Sequence, residues 1–148
     1  MYYCDFDHVY DYIYDIFTNE YAWIHNCHIQ GPFLAEIKTN LQETVNHANL
    51  DRSLYLYSGH DVNVVALWRA LGFEELLDPD YGASLVLELH EEVEQDSFFV
   101  KLFYRNNTKV EIPMELNMPF CEDPCTYKRF IQHIESLIPA DWEAECQN

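Results

Sequence analysis

The segment Leu54-Tyr-Leu-Tyr-Ser-Gly-His-Asp61 sets an imidazole beside a carboxylate, directly after a short apolar run and a small-residue turn. Transfer of a phosphoryl group from a monoester requires three things: a nucleophile in line with phosphorus, donors or cations around the equatorial oxygens, and an acid for the leaving alcohol. His60 suits the second role and Asp61 the third. A carboxyl held beside phosphate oxygens keeps its proton through like-charge repulsion, which makes it a competent donor in acid. Neither residue supplies the attack, and no other part of the chain offers a nucleophile with a cationic clamp around it. The pair therefore reads as half of a phosphate-handling site.

The elements around the pair would have to position it. Residues 54–57 lack polar alternation, which predicts a strand buried on both faces in a mostly parallel sheet. Gly59 lets the backbone turn closely, and ligands of open α/β sheets bind beyond the carboxyl ends of strands, where His60 and Asp61 would lie. A helical pattern then runs over 62–71 and stops at Gly72. A plainer reading stands beside this one on pattern alone: Asp61 caps the helix starting at Val62, and His60 is an ordinary turn histidine.

Elsewhere, aromatic and aliphatic spacing predicts a helix over 7–24. After Gly31-Pro32, the stripe Phe33, Leu34, Ile37, Leu41 and Val45 predicts an amphipathic helix reaching about Asn46. Residues 84–90 and 97–104 are β-rich runs around the acidic Glu91-Glu-Val-Glu-Gln-Asp96, a hairpin with a charged tip. Residues 109–113 are expected to add a short third strand. Pro113, Pro119 and Pro124 break the next stretch into loop, and a helix over 127–137 is ended by Pro139. No internal repeat or linker interrupts the pattern, so the chain is read as one unit, 1–148.

Apolar residues make up 49% of the 148 and aromatics 16%, too much hydrophobic material for a disordered chain. The formal charge is −18, and the eight bases (Lys38, Arg52, Arg69, Lys101, Arg105, Lys109, Lys128, Arg129) are scattered. Nucleic-acid binding, which needs clustered Lys and Arg, is excluded as a reading, and so is attraction to an anionic membrane. No apolar run approaches the roughly 20 residues that span a bilayer, and the first residues have no secretion-signal pattern. Yet Cys121-Glu-Asp-Pro-Cys125 and the sequon Asn106-Asn107-Thr108 suit an oxidising, secretory environment. With an odd total of five cysteines and no leader, the chain is expected to be a piece of a longer protein that has lost its beginning. His25-Asn-Cys-His28 lacks a second ligand pair at finger-like spacing, so no metal is assigned.

The longer string Tyr57-Ser-Gly-His-Asp-Val-Asn-Val-Val-Ala-Leu-Trp-Arg-Ala-Leu-Gly72 resembles the His-Asp segment of the histidine acid phosphatases, the branch that includes the prostatic and lysosomal enzymes. Ile29-Gln-Gly-Pro-Phe-Leu-Ala-Glu-Ile37 is similar to the helix opening before that segment. Downstream, Asp80-Tyr-Gly-Ala-Ser, Leu85-Val-Leu-Glu-Leu89 and Phe99-Val-Lys-Leu-Phe-Tyr-Arg-Asn106 resemble the strands that follow it in the family. Pro119-Phe-Cys-Glu-Asp-Pro-Cys-Thr-Tyr-Lys-Arg-Phe130 and Pro139-Ala-Asp-Trp-Glu-Ala-Glu-Cys146 resemble its cysteine loop and terminal segment. The likeness is clearest over 28–146.

The resemblance implies the carboxyl-terminal part of the histidine-phosphatase α/β fold, incomplete, with a mixed, mostly parallel sheet and flanking helices. It also implies that Asp61 protonates the leaving group and that His60 contacts the transferring phosphoryl oxygens. The family's attacking histidine lies in an Arg-His-Gly-x-Arg-x-Pro motif, and here the four arginines precede Ser53, Ala70, Asn106 and Phe130. The expectation is a phosphomonoesterase portion that works in the family through a phosphohistidine intermediate but is inactive alone; a non-catalytic secreted relative that binds or interacts is the alternative. The family's loop disulfide corresponds to Cys121 and Cys125, and the partner of Cys146 would lie outside the chain. Another family disulfide ends where this chain has Ala83-Ser84, which leaves Cys4 and Cys27 open. Glycosylation at Asn106 and a secreted or lysosomal location follow from the same likeness. The implied partner is a small phosphomonoester, with no cofactor, no nucleic acid and no membrane, and a homodimer is left open for the complete protein.

Overall fold

The computed structural model describes residues 31–48, 51–141 and 144. The expected helix over 7–24, and any pairing of Cys4, Cys27 or Cys146, lie outside these residues. The described elements are α1 (Gly31–Val45), α2 (Asp61–Ala70), β1 (Ser84–Glu92), β2 (Ser97–Arg105), β3 (Met114–Leu116), β4 (Cys125–Thr126) and α3 (Tyr127–Glu135).

β2 is the spine. It pairs along its whole length with β1, and on its other edge with β3 at Leu102–Tyr104 and with β4 at Phe99–Val100. Alternation sets its faces, because successive side chains of a strand point to opposite sides: Val100, Leu102 and Tyr104 are buried. The register places Leu85, Leu87 and Leu89 of β1 opposite Tyr104, Leu102 and Val100, so the two strands present one apolar face. α3 covers that face with Phe130, Ile131 and Ile134, spaced to share one side of a helix. α1 joins through Leu34, fully buried, and through an ion pair from Lys38 Nζ to Glu135 Oε1 of α3 at 2.8 Å.

Three expectations are corrected. Every pairing among the described strands is antiparallel rather than mostly parallel; β1 and β2 are joined by a turn of four residues, 93–96, and parallel strands need a crossover of a dozen or more. Residues 54–57 form no strand. They have no β-partner among the described residues, and Leu54 and Leu56 are 70% and 84% exposed. The third strand forms at Met114–Leu116 instead of 109–113, because Asn107 Oδ1 captures the Lys109 amide at 2.9 Å and turns the chain where extension was expected.

The expected helices over 31–46, 62–71 and 127–137 and the strands over 84–90 and 97–104 fall within a few residues of the observed bounds. Gly72 follows α2 with φ +86, a left-handed position suited to glycine. The hairpin tip is acidic, and Cys121 is bonded to Cys125, tying the loop before β4 to the strand itself.

Candidate active site

α2 is anchored at its carboxyl end. Ala66, Trp68 and Ala70 are buried, and Trp68 stacks on Phe73 with ring centroids 4.1 Å apart while its Nε1 donates to the Glu75 carbonyl at 3.1 Å. Arg69 Nη1 donates to the carbonyls of Phe73 and Glu74, at 3.2 and 2.6 Å. From α3, His133 Nε2 donates to the Ala70 carbonyl at 2.8 Å, one of the terminal acceptors a helix leaves open. The His133 ring lies flat against Phe120, with centroids 3.6 Å apart. The carboxyl end of α2 is thereby docked on the sheet, the cysteine loop and α3 together.

The opposite end carries His60 and Asp61, and both are exposed. His60 is extended (φ −94, ψ 166) and occupies the capping position, while Asp61 is the first helical residue. The cap comes from Asn63, whose Oδ1 accepts from the His60 amide at 2.8 Å. Asp61 Oδ1 accepts from the Val62 amide at 2.7 Å. The plainer sequence reading, a helix from Val62 capped by Asp61, therefore gives way to a helix that begins one residue earlier with Asn63 closing its end. The asparagine three residues after His60 was the sequence signal for this. Gly59 is tight against it: a Cβ there would meet Asn63 Oδ1 at 3.1 Å.

The turn's other anchor was missed in the sequence. Asn40 Nδ2 donates to the Tyr57 hydroxyl at 2.7 Å, and that hydroxyl donates to Glu36 Oε1 at 3.1 Å. The Tyr57 ring meets Phe33 edge-on, with centroids 4.9 Å apart. Burial, and then the hydrogen bond to Glu36 and the charge of that carboxylate, raise the Tyr57 phenol above its ordinary value.

The site residues named from sequence fall on separate elements. His60 and Asp61 are brought together at the start of α2. Cys121 and Cys125 form their disulfide beside β4. Asn106 is exposed just past β2, with its Oδ1 accepting from the Tyr104 hydroxyl at 2.6 Å. Among the described residues no group of His, Cys, Asp and Glu is placed to hold a metal ion, and no helix is long and apolar enough to cross a membrane.

The geometry thus offers an imidazole and a carboxyl at the amino end of a docked helix, where first-turn amides favour an anion. Residues 1–105 match the sequence profile of the histidine phosphatase superfamily (branch 2), a span that ends at the last residue of β2. The chain belongs to this superfamily. Among its relatives, the prostatic acid phosphatase of Rattus norvegicus is 36% identical over 116 residues, covering 78% of this chain and 29% of that protein. The lysosomal acid phosphatase of Rattus norvegicus is 33% identical over 117 residues, 79% of this chain and 27% of that protein. The prostatic acid phosphatase of Homo sapiens is 33% identical over 118 residues, 80% of this chain and 30% of that protein. The chain thus spans less than a third of the length of these histidine-phosphatase relatives. The matched region contains α1, the His60-Asp61 turn, α2 and the β1–β2 hairpin.

Proposed function

We propose that this chain carries the proton-donating part of an acid phosphatase site that hydrolyses small phosphate monoesters. In this reading a histidine nitrogen attacks phosphorus, forming an N–P bond as the P–O bond to the leaving alcohol breaks. Asp61 gives its proton to the departing oxygen, and the His60 ring donates a hydrogen bond to a phosphoryl oxygen. Water then takes the phosphoryl group from the histidine. The supporting observation is the Ser58-Gly-His-Asp61 turn, which runs straight into the amino end of α2 and leaves both side chains exposed there.

The 148 residues hold no Arg-His pair, so the reading places the attacking histidine and its guanidinium clamp outside them and assigns the chain no turnover by itself. Acid assays of the purified chain with p-nitrophenyl phosphate should show no release above that of Asp61→Asn; release that disappears with Asp61→Asn overturns this assignment. Sequencing the transcript upstream of Met1 tests the rest. If an in-frame Arg-His-Gly segment is present, Asp61→Asn in the longer protein should cut turnover of an alkyl phosphate by about 10²–10⁴-fold. It should cut p-nitrophenyl phosphate turnover less, because that leaving group departs without needing a proton.

A second reading follows from the same missing motif: a non-catalytic secreted relative that binds phosphorylated ligands or another protein. An untranslated leader directly before Met1 would favour it. Both readings place the protein in a secretory or lysosomal compartment and give Asn106 an N-linked glycan. The exposed Asn106 leaves its oxygen, not its nitrogen, on Tyr104, and the nitrogen is the atom that carries the sugar. A gel-mobility shift on amidase treatment, absent in Asn106→Gln, checks this.

A further inference from the structure

Phe33, Glu36 and Asn40 stand at i, i+3 and i+7 on α1, the spacing of one helix face, and all three meet Tyr57. Each contact constrains a different freedom. The edge-on Phe33 ring limits rotation of the phenol, Glu36 accepts its proton, and Asn40 donates to its oxygen. A tyrosine has only two side-chain torsions, so a phenol held both at its ring and at its hydroxyl restrains its backbone as well. This matters because residues 52–60 have no strand pairing among the described residues that would otherwise fix them.

The far side of the turn is held independently. The His60 amide is bound to Asn63 Oδ1 at 2.8 Å, and Gly59 lies so close to that side chain that a Cβ would stand 3.1 Å from the same oxygen. Between an anchor on α1 at Tyr57 and an anchor on α2 at His60, only Ser58 and Gly59 remain. Two residues leave little slack, so the anchor of the phenol on α1 restrains, from the other side, where the imidazole and carboxyl emerge from the turn.

We propose that Tyr57, gripped by the Phe33–Glu36–Asn40 face of α1, is a positioning residue that sets the placement of the His60–Asp61 pair. Its catalytic consequence rests on the reading of that pair as phosphate contact and proton donor, while the placement itself stands on the contacts. The raised Tyr57 phenol agrees with a neutral hydroxyl donating to the Glu36 carboxylate.

The test is NMR of the 148-residue chain labelled on nitrogen, comparing Tyr57→Phe, Glu36→Ala and Glu36→Gln. Phenylalanine keeps the ring against Phe33 and loses both hydrogen bonds. Glutamine keeps an acceptor oxygen and loses the charge. Tyr57→Phe and Glu36→Ala should shift the amide signals of Gly59, His60 and Asp61 while those of Val100, Leu102 and Ile134 stay in place. Glu36→Gln should restore the amide signals, yet lower the pH at which the Tyr57 phenol ionises by absorbance. Unchanged Gly59–Asp61 signals in Tyr57→Phe overturn the proposal. So does loss of the Val100, Leu102 and Ile134 signals in the same variant, which would make Tyr57 a residue of the general fold. None of these readouts uses hydrolysis, so they are separable from a failure of Asp61→Asn to reduce turnover.

Discussion

The two ends of α2 are built differently. The carboxyl end is held by buried contacts: Trp68 on Phe73, His133 on the Ala70 carbonyl, and Ala70 and Leu71 in the core with Phe130 and Ile134. Among the described residues, the His60–Asp61 turn at the amino end is held by exposed hydrogen bonds at Asn63 and, across the turn, at Tyr57, with the edge-on contact of Phe33 and Tyr57 beside them. Exposed hydrogen bonds contribute little net stability because water competes for them, whereas buried apolar surface contributes in proportion to its area. The helix is thus made rigid by its docked end, and the end that carries His60 and Asp61 stays open to solvent.

The largest expected effect breaks the docked side. Phe130 is 1% exposed, and Phe130→Ala should cost about 3–5 kcal/mol by urea unfolding, through lost transfer energy and the cavity left behind. Leu56 is 84% exposed, and Leu56→Ser should change stability by no more than about 0.5 kcal/mol. Comparable losses in the two variants would mean that the 54–57 segment is as buried as the core, and the contrast would fall.

A smaller effect sharpens the same contrast at a single bond. His133→Ala leaves the half-buried Ala70 carbonyl without its donor and removes the ring from Phe120, for a loss of about 1–3 kcal/mol. His133→Gln retains an N–H and should recover part of it. Unfolding midpoints of the two variants decide this; an equal loss in both would assign the effect to the stacked ring rather than to the hydrogen bond.

Legibility in the sequence followed a related division. The apolar stripe of α1, the stop at Gly72 and the two long strands with their acidic tip were readable because each carries its own periodicity or turn residue. The exposed, unpaired course of 54–57 was not, because an unbroken apolar run announces burial on two faces without naming the neighbour that would provide it, and none is present among the described residues. Sheet direction and the place of β3 failed for a similar reason: Met114–Leu116 is chosen by its register against Leu102–Tyr104, not by its own propensity. At the site, His60 and Asp61 were visible by residue type. The Phe33, Glu36 and Asn40 face was visible only as spacing, and nothing local connects it to Tyr57, 17 residues beyond Asn40.

Alkaline pH should loosen both regions together. Burial first, and then Asp78 and Asp80, raise the Tyr104 phenol above its usual value; burial and then Glu135 raise Tyr127, and burial and Glu36 raise Tyr57. The Lys101 ammonium is raised as well, mainly by its hydrogen bond to Glu115. A group whose folded pKa lies above its unfolded one contributes stability that is complete below the unfolded value and is lost as pH rises through the folded value. Stability should therefore fall from about pH 10 upward, where unfolded tyrosines ionise. Thermal midpoints measured across that range should decline, and Tyr104→Phe should make the decline shallower. A midpoint that holds level through tyrosine ionisation contradicts the assignment.

The smallest effect expected from removing a paired group lies between the two regions, where α1, which grips Tyr57, meets α3, which docks α2. Lys38 and Glu135 bridge these helices at 2.8 Å, with side chains 29% and 44% exposed. A pair this accessible gains little Coulomb energy in water and loses side-chain entropy, so Lys38→Ala should cost at most about 1 kcal/mol, and less in high salt. The packing of Leu34 and Ile134, both fully buried, holds the helices together without it. A double-mutant cycle with Glu135→Ala isolates the coupling. If that coupling exceeded the loss in His133→Ala, the α1–α3 contact would depend on charge rather than on buried surface. The placement of the His60–Asp61 turn would then be salt-sensitive, and the Gly59 and His60 amide signals would move between low and high salt.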